Sequence, residues 1–260
     1  MKVLFIGDIV GNPGRTALKA VLPMITGKYK IDFIIANGEN AAGGFGITEA
    51  IASELFSVGI NVLTSGNHIW DKKEAMPYIS KEERLLRPLN YPPGVPGYGS
   101  IALSVPNGSK IAVINLSGRV FMSNMDCPFR VGKEEIERLR GITKNIVIDF
   151  HAEATSEKLA FAHFVDGTVS AVIGTHTHVQ TADETILPKG TAYITDVGMT
   201  GPLNSIIGVE TEQVIERFLL QLPKRFDAAK GRAVLSAVAL EIKDDTGMAS
   251  AIQRLQITNP

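Results

Sequence analysis

Residues 174–180 read GTHTHVQ and place two of the chain's five histidines, His176 and His178, two positions apart behind an apolar run, VSAVI. In extended backbone, side chains at i and i+2 share a face, so both imidazoles would converge on one point with Thr175 and Thr177 turned away. Such a pair serves either as metal ligands or as hydrogen-bonded histidines at a strand end. The rest of the chain repeats the pattern. Asp8 closes KVLFIGD, Glu39 and Asn40 close IDFIIANGEN, Asn67 and His68 close INVLTSGNH, and His151 closes NIVIDFH. Five apolar runs thus end in groups that bind divalent metals, and ligand sites in α/β folds gather at the carboxyl ends of strands. Two cations roughly 3.5–4 Å apart need a bridging oxygen group and separate terminal ligands. A carboxylate can bridge, imidazoles can cap either metal, and an asparagine carbonyl adds a neutral oxygen. This nitrogen-and-oxygen set without cysteine suits iron, manganese, cobalt or zinc.

The elements that must hold these groups alternate in the first half. KVLFIGD is strand-like, and PGRTALKAVLPMI has helical spacing, with Asn12 as N-cap and Pro13 at N1. IDFIIANGEN is a strand, TEAIASELFSVG a helix capped by Thr48 and stopped at Gly59, and INVLTSGNH a third strand. This β-α-β-α-β rhythm implies a buried parallel sheet. From Ser100 the pattern changes. SIALSV and KIAVINL flank the turn PNGS and predict a hairpin. EEIERLRGIT and SEKLAFAHFVDG read as helices, and NIVIDFHAE, VSAVIGTHTH, TAYITDVG, RAVLSAVALEIK and SAIQRLQIT as strands. A single mixed α/β domain over residues 1–260, with two sheets and outer helices, fits better than one open sheet.

Composition narrows the function. A 45% hydrophobic fraction, 20% charged residues and a net charge of −1 describe a globular chain with a large core and give no reason to expect a nucleic-acid-coating surface, though they leave room for local basic pockets. The single cysteine, Cys127, rules out an intramolecular disulfide and a Cys-rich zinc module. MKVLFIGDIVG is too short for a secretory apolar region, and no later stretch reaches membrane-spanning length, so a cytoplasmic protein is expected. The glycines Gly7, Gly11 and Gly14 fit no nucleotide-loop spacing and are read as close backbone approach around Asp8.

The ordered blocks GD, a second acidic cluster, GNH and a late GTHTH resemble those of the calcineurin-like metallophosphoesterases. The YmdB-type bacterial branch is closer still, through MKVLFIGDIVGNPGR, IIANGENAAGGFGIT, LTSGNHIWDKKE, DFHAEATSEK and GTHTHVQTADE. Two departures from the wider superfamily agree with that branch. Val10 stands where a histidine is usual, and Glu39 where a bridging aspartate is usual. The resemblance implies a four-layer α/β/β/α sandwich of two mixed sheets. It implies two divalent or trivalent metal ions per chain, iron first, with manganese, zinc or cobalt as alternatives. Asp8, Glu39, Asn40 and His178 would hold one. Glu39, Asn67, His151 and His176 would hold the other, with Glu39 bridging. The implied activity is hydrolysis of cyclic nucleotides, 2′,3′-cyclic ones in particular, by a hydroxide between the metals, with His68 as proton donor.

The expected partners are a cyclic nucleotide or other small phosphodiester. No stable nucleic-acid complex or membrane contact is expected, and homo-oligomerisation is left open. Two rival classes are a dinuclear hydrolase of another ester or amide and a non-catalytic nucleotide-sensing module on the same fold. Among residues with weaker claims, Arg119 in the long loop SGRVFMSNMDCPFR can clamp a phosphate, and Phe121 or Phe129 can stack on a base. Asp149 and Glu153 flank His151, and either can orient an imidazole or stand as a solvated charge. His163 falls on an apolar stripe and reads as a core histidine, or one supporting a ligand from behind, rather than as a ligand.

Overall fold

The computed structural model describes residues 1–258. The chain runs β1 (Lys2–Ile6), β2 (Asp8–Ile9), α1 (Gly11–Tyr29), β3 (Phe33–Asn37), α2 (Glu49–Ser57) and β4 (Val62–Thr64). After a short 3-10 turn come α3 (Met76–Ile79), the hairpin β5 (Ser100–Ser104) and β6 (Lys110–Ser117), α4 (Pro128–Arg140), β7 (Ile146–His151), α5 (Thr155–Phe164) and β8 (Ala171–Thr175). The last third holds β9 (Thr185–Ile186), β10 (Ala192–Ile194), β11 (Met199–Pro202), α6 (Thr211–Leu220), β12 (Ala233–Ile242) and β13 (Ala249–Thr258). None of the described helices is long and apolar enough to cross a membrane.

Two mixed sheets result. One is seven-stranded in the order β2-β11-β12-β1-β3-β4, with β13 also paired to β12; the other is six-stranded, β5-β6-β7-β8-β10-β9. Strand parity sorts their side chains into three apolar layers. On β1, Val3 and Phe5 enter the layer between the sheets, while Leu4 and Ile6 face Leu18, Leu22 and Ile25 of α1. On β7, Val147 enters the inter-sheet layer, while Ile146, Ile148 and Phe150 face Phe161 and Ala162 of α5. The order is therefore helix, sheet, sheet, helix, the four-layer sandwich expected.

The same parity prepares the site. Continuing from Val147, Asp149 and His151 fall on the inter-sheet side at the carboxyl end of β7, and both are fully buried. Parallel pairing of β6, β7 and β8 sets Asn115 beside Asp149 and His151 beside Thr175. The inter-sheet core thus turns from apolar to polar at one end of the sandwich.

Several local expectations change. Helix α1 begins at Gly11 with Val10 in the cap position and no side-chain cap; Asn12 instead accepts from Arg15 Nη2 at 3.3 Å. The chain turns at Gly11 (φ +57°), whose N–H goes to the Asn40 carbonyl, and this tertiary bond sets the helix start. The Thr48 cap is present, its hydroxyl accepting from Ile51 N at 3.3 Å. Helix α4 starts at Pro128, ahead of the periodic stretch. His163 is exposed, because Phe161 and Ala162 take the inward face of α5. Phe129 packs edge-on to Phe161, 5.4 Å between centroids, and belongs to the core rather than to a base-stacking surface. Helix α6, with no counterpart in the sequence reading, runs along one side of the histidine cluster.

Candidate metal centre

The two GTHTH histidines lie past the end of β8, in the left-handed region (His176 φ +100°, His178 φ +65°). They do not share a strand face. The loop sends His176 toward His151 and His178 toward Asp8, while Thr177 turns to the Asp196 carboxylate at 2.7 Å. Asp196 is itself paired with the fully buried Lys158 at 2.9 Å, and Lys158 also donates to the Thr175 carbonyl. This pair holds the histidine loop from beneath, and neither residue stood out in the sequence. Asn67 and His68 likewise sit in a turn rather than a strand, closed by Asp71 N donating to the His68 carbonyl.

Three groups converge on His151. Its Nε2 lies 3.1 Å from Asn67 Oδ1, 3.0 Å from His176 Nδ1 and 3.2 Å from Glu39 Oε1. Gly66 makes this approach possible, since a Cβ there would sit 2.2 Å from Nε2. The hydrogen bonds behind the rings decide what these atoms offer. The Thr175 hydroxyl donates to Asp149 Oδ1 at 2.7 Å and therefore accepts from His151 Nδ1 at 2.9 Å. His176 Nε2 lies 3.2 Å from the half-exposed Glu153 Oε2, an ion-pair contact that favours the tautomer with its proton on Nε2. In the neutral imidazoles, Nε2 of His151 and Nδ1 of His176 are then bare lone pairs. Two ring nitrogens, a carboxylate oxygen and an amide oxygen face one another with no donor among them, an arrangement that calls for a cation.

Without a metal, a proton takes that place. Burial alone would depress the His151 pKa, but Glu39, Asp8 and Asp149 more than offset it and lift it to about 9. His176, buried beside that charge, is lowered to about 3 and stays neutral. Burial pushes Glu39 up, yet His151 and the His68 N–H, which donates to Oε2 at 3.1 Å, bring it down to about 2.

A second set lies alongside. His178 Nδ1 donates to the Ile207 carbonyl at 2.8 Å, which leaves Nε2 unprotonated, accepting from Asn40 Nδ2 at 3.2 Å and 3.8 Å from Asp8 Oδ1. That Asp8 oxygen is fully buried and has no hydrogen-bond partner among the described residues. Burial raises the Asp8 carboxyl above its ordinary range, despite His178 and His151 nearby. The Asn40 amide also meets Glu39 Oε1 at 3.2 Å, so Glu39 touches both sets. An orphaned buried carboxylate oxygen beside an unprotonated imidazole nitrogen fits a second cation.

Asp149 orients His151 through Thr175 rather than directly, and Glu153 serves His176 instead. Thr64 Oγ1, at 2.5 Å, and Asn37 Nδ2, at 3.1 Å, complete the donors to Asp149, whose burial holds its pKa at about 7. His68 faces the same cavity as Glu39, Asn40, His176 and His178, with Nδ1 held by Asp71 Oδ2 at 2.8 Å. The motif GNHIWD carried that partner unnoticed, three residues on. Arg119 is exposed, its backbone N–H held by Glu157. It does not line the cavity, whereas Phe121 lines a smaller recess with Asn67 and His176.

The family model of YmdB-like proteins matches residues 4–255. The chain belongs to the YmdB-like family. Among relatives, the 2′,3′-cyclic-nucleotide 2′-phosphodiesterase of Bacillus subtilis (strain 168) is 52% identical over 259 residues, covering 100% of this chain and 98% of that one. A hypothetical protein from Thermus thermophilus superposes with a TM-score of 0.94 at 45% identity, covering 100% of both chains. A novel phosphatase of Mycoplasma pneumoniae gives 0.93 at 37% identity, covering 99% of this chain and 93% of its own. The YmdB-like assignment thus spans the whole sandwich, both ligand sets included.

Proposed function

We propose that this YmdB-like chain is a dinuclear metal-dependent phosphodiesterase that hydrolyses 2′,3′-cyclic nucleotides. The observation that carries the reading is the meeting of four lone-pair donors at His151 Nε2 beside the orphaned Asp8 oxygen. The Bacillus subtilis relative, a 2′,3′-cyclic-nucleotide 2′-phosphodiesterase, supports the substrate. In this reading Asp8, Glu39, Asn40 and His178 hold one cation and Glu39, Asn67, His151 and His176 the other, iron before manganese, zinc or cobalt. When bound, such a pair neutralises phosphate oxygens and supplies an acidified water.

The chain's own part is positioning and proton transfer. Thr175, Glu153 and the Ile207 carbonyl fix the tautomers that leave ring nitrogens bare on the ligand side. Asp71 anchors His68 by Nδ1, so its Nε2 is free to give a proton to the departing alkoxide. Arg119 is proposed as a phosphate contact from outside the cavity, on the exposed loop that also brings Phe121 beside Asn67. A chain with one cysteine has no intramolecular disulfide to form and suits the reducing cytoplasm, the compartment proposed.

The test is His68→Ala. It keeps both metals and loses roughly 10²–10⁴-fold in turnover on a 2′,3′-cyclic nucleotide, whose alkoxide needs the proton. On bis(p-nitrophenyl) phosphate, whose leaving group departs unprotonated, the loss is much smaller. Comparable losses on both substrates would remove His68 as the acid. A metal-loaded wild type with no turnover on either would leave the sensing module standing.

A further inference from the structure

A cavity of about 520 Å³ opens against the cluster, within the range of small-ligand sites. One side is formed by Glu39, Asn40, His68, His176 and His178, the other by residues 206–228 around α6. That second wall is apolar: Ile207, Val209, Val214, Phe218 and Phe226 line it, and Phe45 joins them edge-on to His68 at 5.2 Å. Phe218 is 73% exposed and Ile207 51%, apolar surface left to water where a ligand would cover it.

Two of the wall's polar groups are tied back to the end of α6. Arg217 Nη1 donates to the Leu222 carbonyl at 2.9 Å, and Gln221 Nε2 to the Phe218 carbonyl at 3.0 Å. The wall is also fastened to the ligand set. Ile207, a β-branched residue at φ +47°, accepts from His178 with its carbonyl while its side chain lines the cavity. Such backbone persists only where its surroundings impose it. Ser205 Oγ does so, bonding the Pro202 carbonyl at 2.6 Å and Gly208 N at 3.0 Å.

We infer that the α6 wall binds the nucleobase of the substrate, as an apolar plane and not by its hydrogen-bonding edge. This rests on the phosphodiesterase reading, which places the phosphate at the cluster. Aromatic stacking accepts every base and rewards ring area. Purines are therefore preferred over pyrimidines, and adenine is not distinguished from guanine.

The experiment compares the 2′,3′-cyclic phosphates of adenosine, guanosine and cytidine with 1-O-methylribose 2′,3′-cyclic phosphate, the same ester without a base, on metal-loaded protein. kcat/KM is expected to fall roughly 10–100-fold without the base, within the range of base–aromatic stacking, and to agree within about threefold for adenine and guanine. Phe218→Ala, at an exposed position, shrinks the ratio between adenosine and base-free substrates through KM; Phe226→Ala is the second variant. Adenosine alone, titrated calorimetrically, binds the wild type more tightly than either variant. Equal cleavage with and without the base, strong adenine–guanine discrimination, or equal adenosine affinity in wild type and both variants would overturn the inference. No turnover on any of the esters, with adenosine binding still dependent on Phe218, would overturn the hydrolase reading and leave the base site in place.

Discussion

The His151 and His178 halves of the centre solve one problem with different materials. Each needs an imidazole whose Nδ1 is tied back so that Nε2 is bare. His151 is the last residue of β7, fully buried, and its Nδ1 rests on Thr175, which rests in turn on Asp149. All three positions follow from parallel strand register. His178 lies in a loop at φ +65°, and its Nδ1 is caught by the carbonyl of Ile207, another left-handed residue on a separate turn. The first half moves only if the sheet moves. The second can be re-aimed by a loop, and that loop also bounds the cavity. If each half holds a cation, as proposed, a buried, register-built half is paired with a loop-built half, and metal retention and substrate fit can be tested separately.

The most damaging break strikes the residue the halves share. Glu39→Gln is expected to weaken both metals, because losing the carboxylate charge leaves two cations repelling at short range. Asp8→Asn weakens mainly the His178 side. Elemental analysis of both variants checks this, and a Glu39→Gln protein holding both metals at wild-type affinity would end the bridging assignment.

Next in size is a pH effect confined to one half. With a pKa of about 9 in the metal-free protein, His151 is protonated at pH 7, and its proton must leave before Nε2 can ligate. Affinity of the His151-side metal is expected to rise by up to about tenfold per pH unit from 7 toward 9 and then level, by simple proton linkage. Proton release during metal titration in weak buffer reads it directly. A flat profile would mean that the ring is already neutral.

The smallest effects separate the two halves. Thr175→Val removes the acceptor behind His151 and is expected to cost 10–100-fold in affinity on that side alone. Asn40→Ala is its mirror, lowering occupancy on the Asp8 and His178 side. Site-resolved occupancies in crystals of the two variants test this. Equal loss at both sites in either variant would show that the halves act as one unit.

Most of this was legible where side-chain chemistry and strand parity coincide. KVLFIGD, NIVIDFH and the rest carry their ligand residues at strand ends, so apolar alternation marked both the sandwich and the rim of its site. The Thr48 cap and the β5–β6 hairpin are local and could be read directly. The same local reading failed where long-range bonds prevail. It put His176 and His178 on one strand face, His163 in the core and Asn12 in the cap, because periodicity does not reveal where a strand stops or which residue a distant carbonyl captures.

Sequence alone determined which groups are available: seven candidate ligands and a histidine beside one of them, in an order that a single family shares. Tertiary structure decided which lone pairs they present. Thr175, Glu153 and Ile207 contribute one acceptor each, from three separate parts of the chain, and only their spatial meeting with the histidines sets the tautomers. It also decided that α6, apolar and outside every motif, closes one side of the cavity. A helix's own pattern shows that it has an apolar face, but what that face covers depends on elements far from it in the chain.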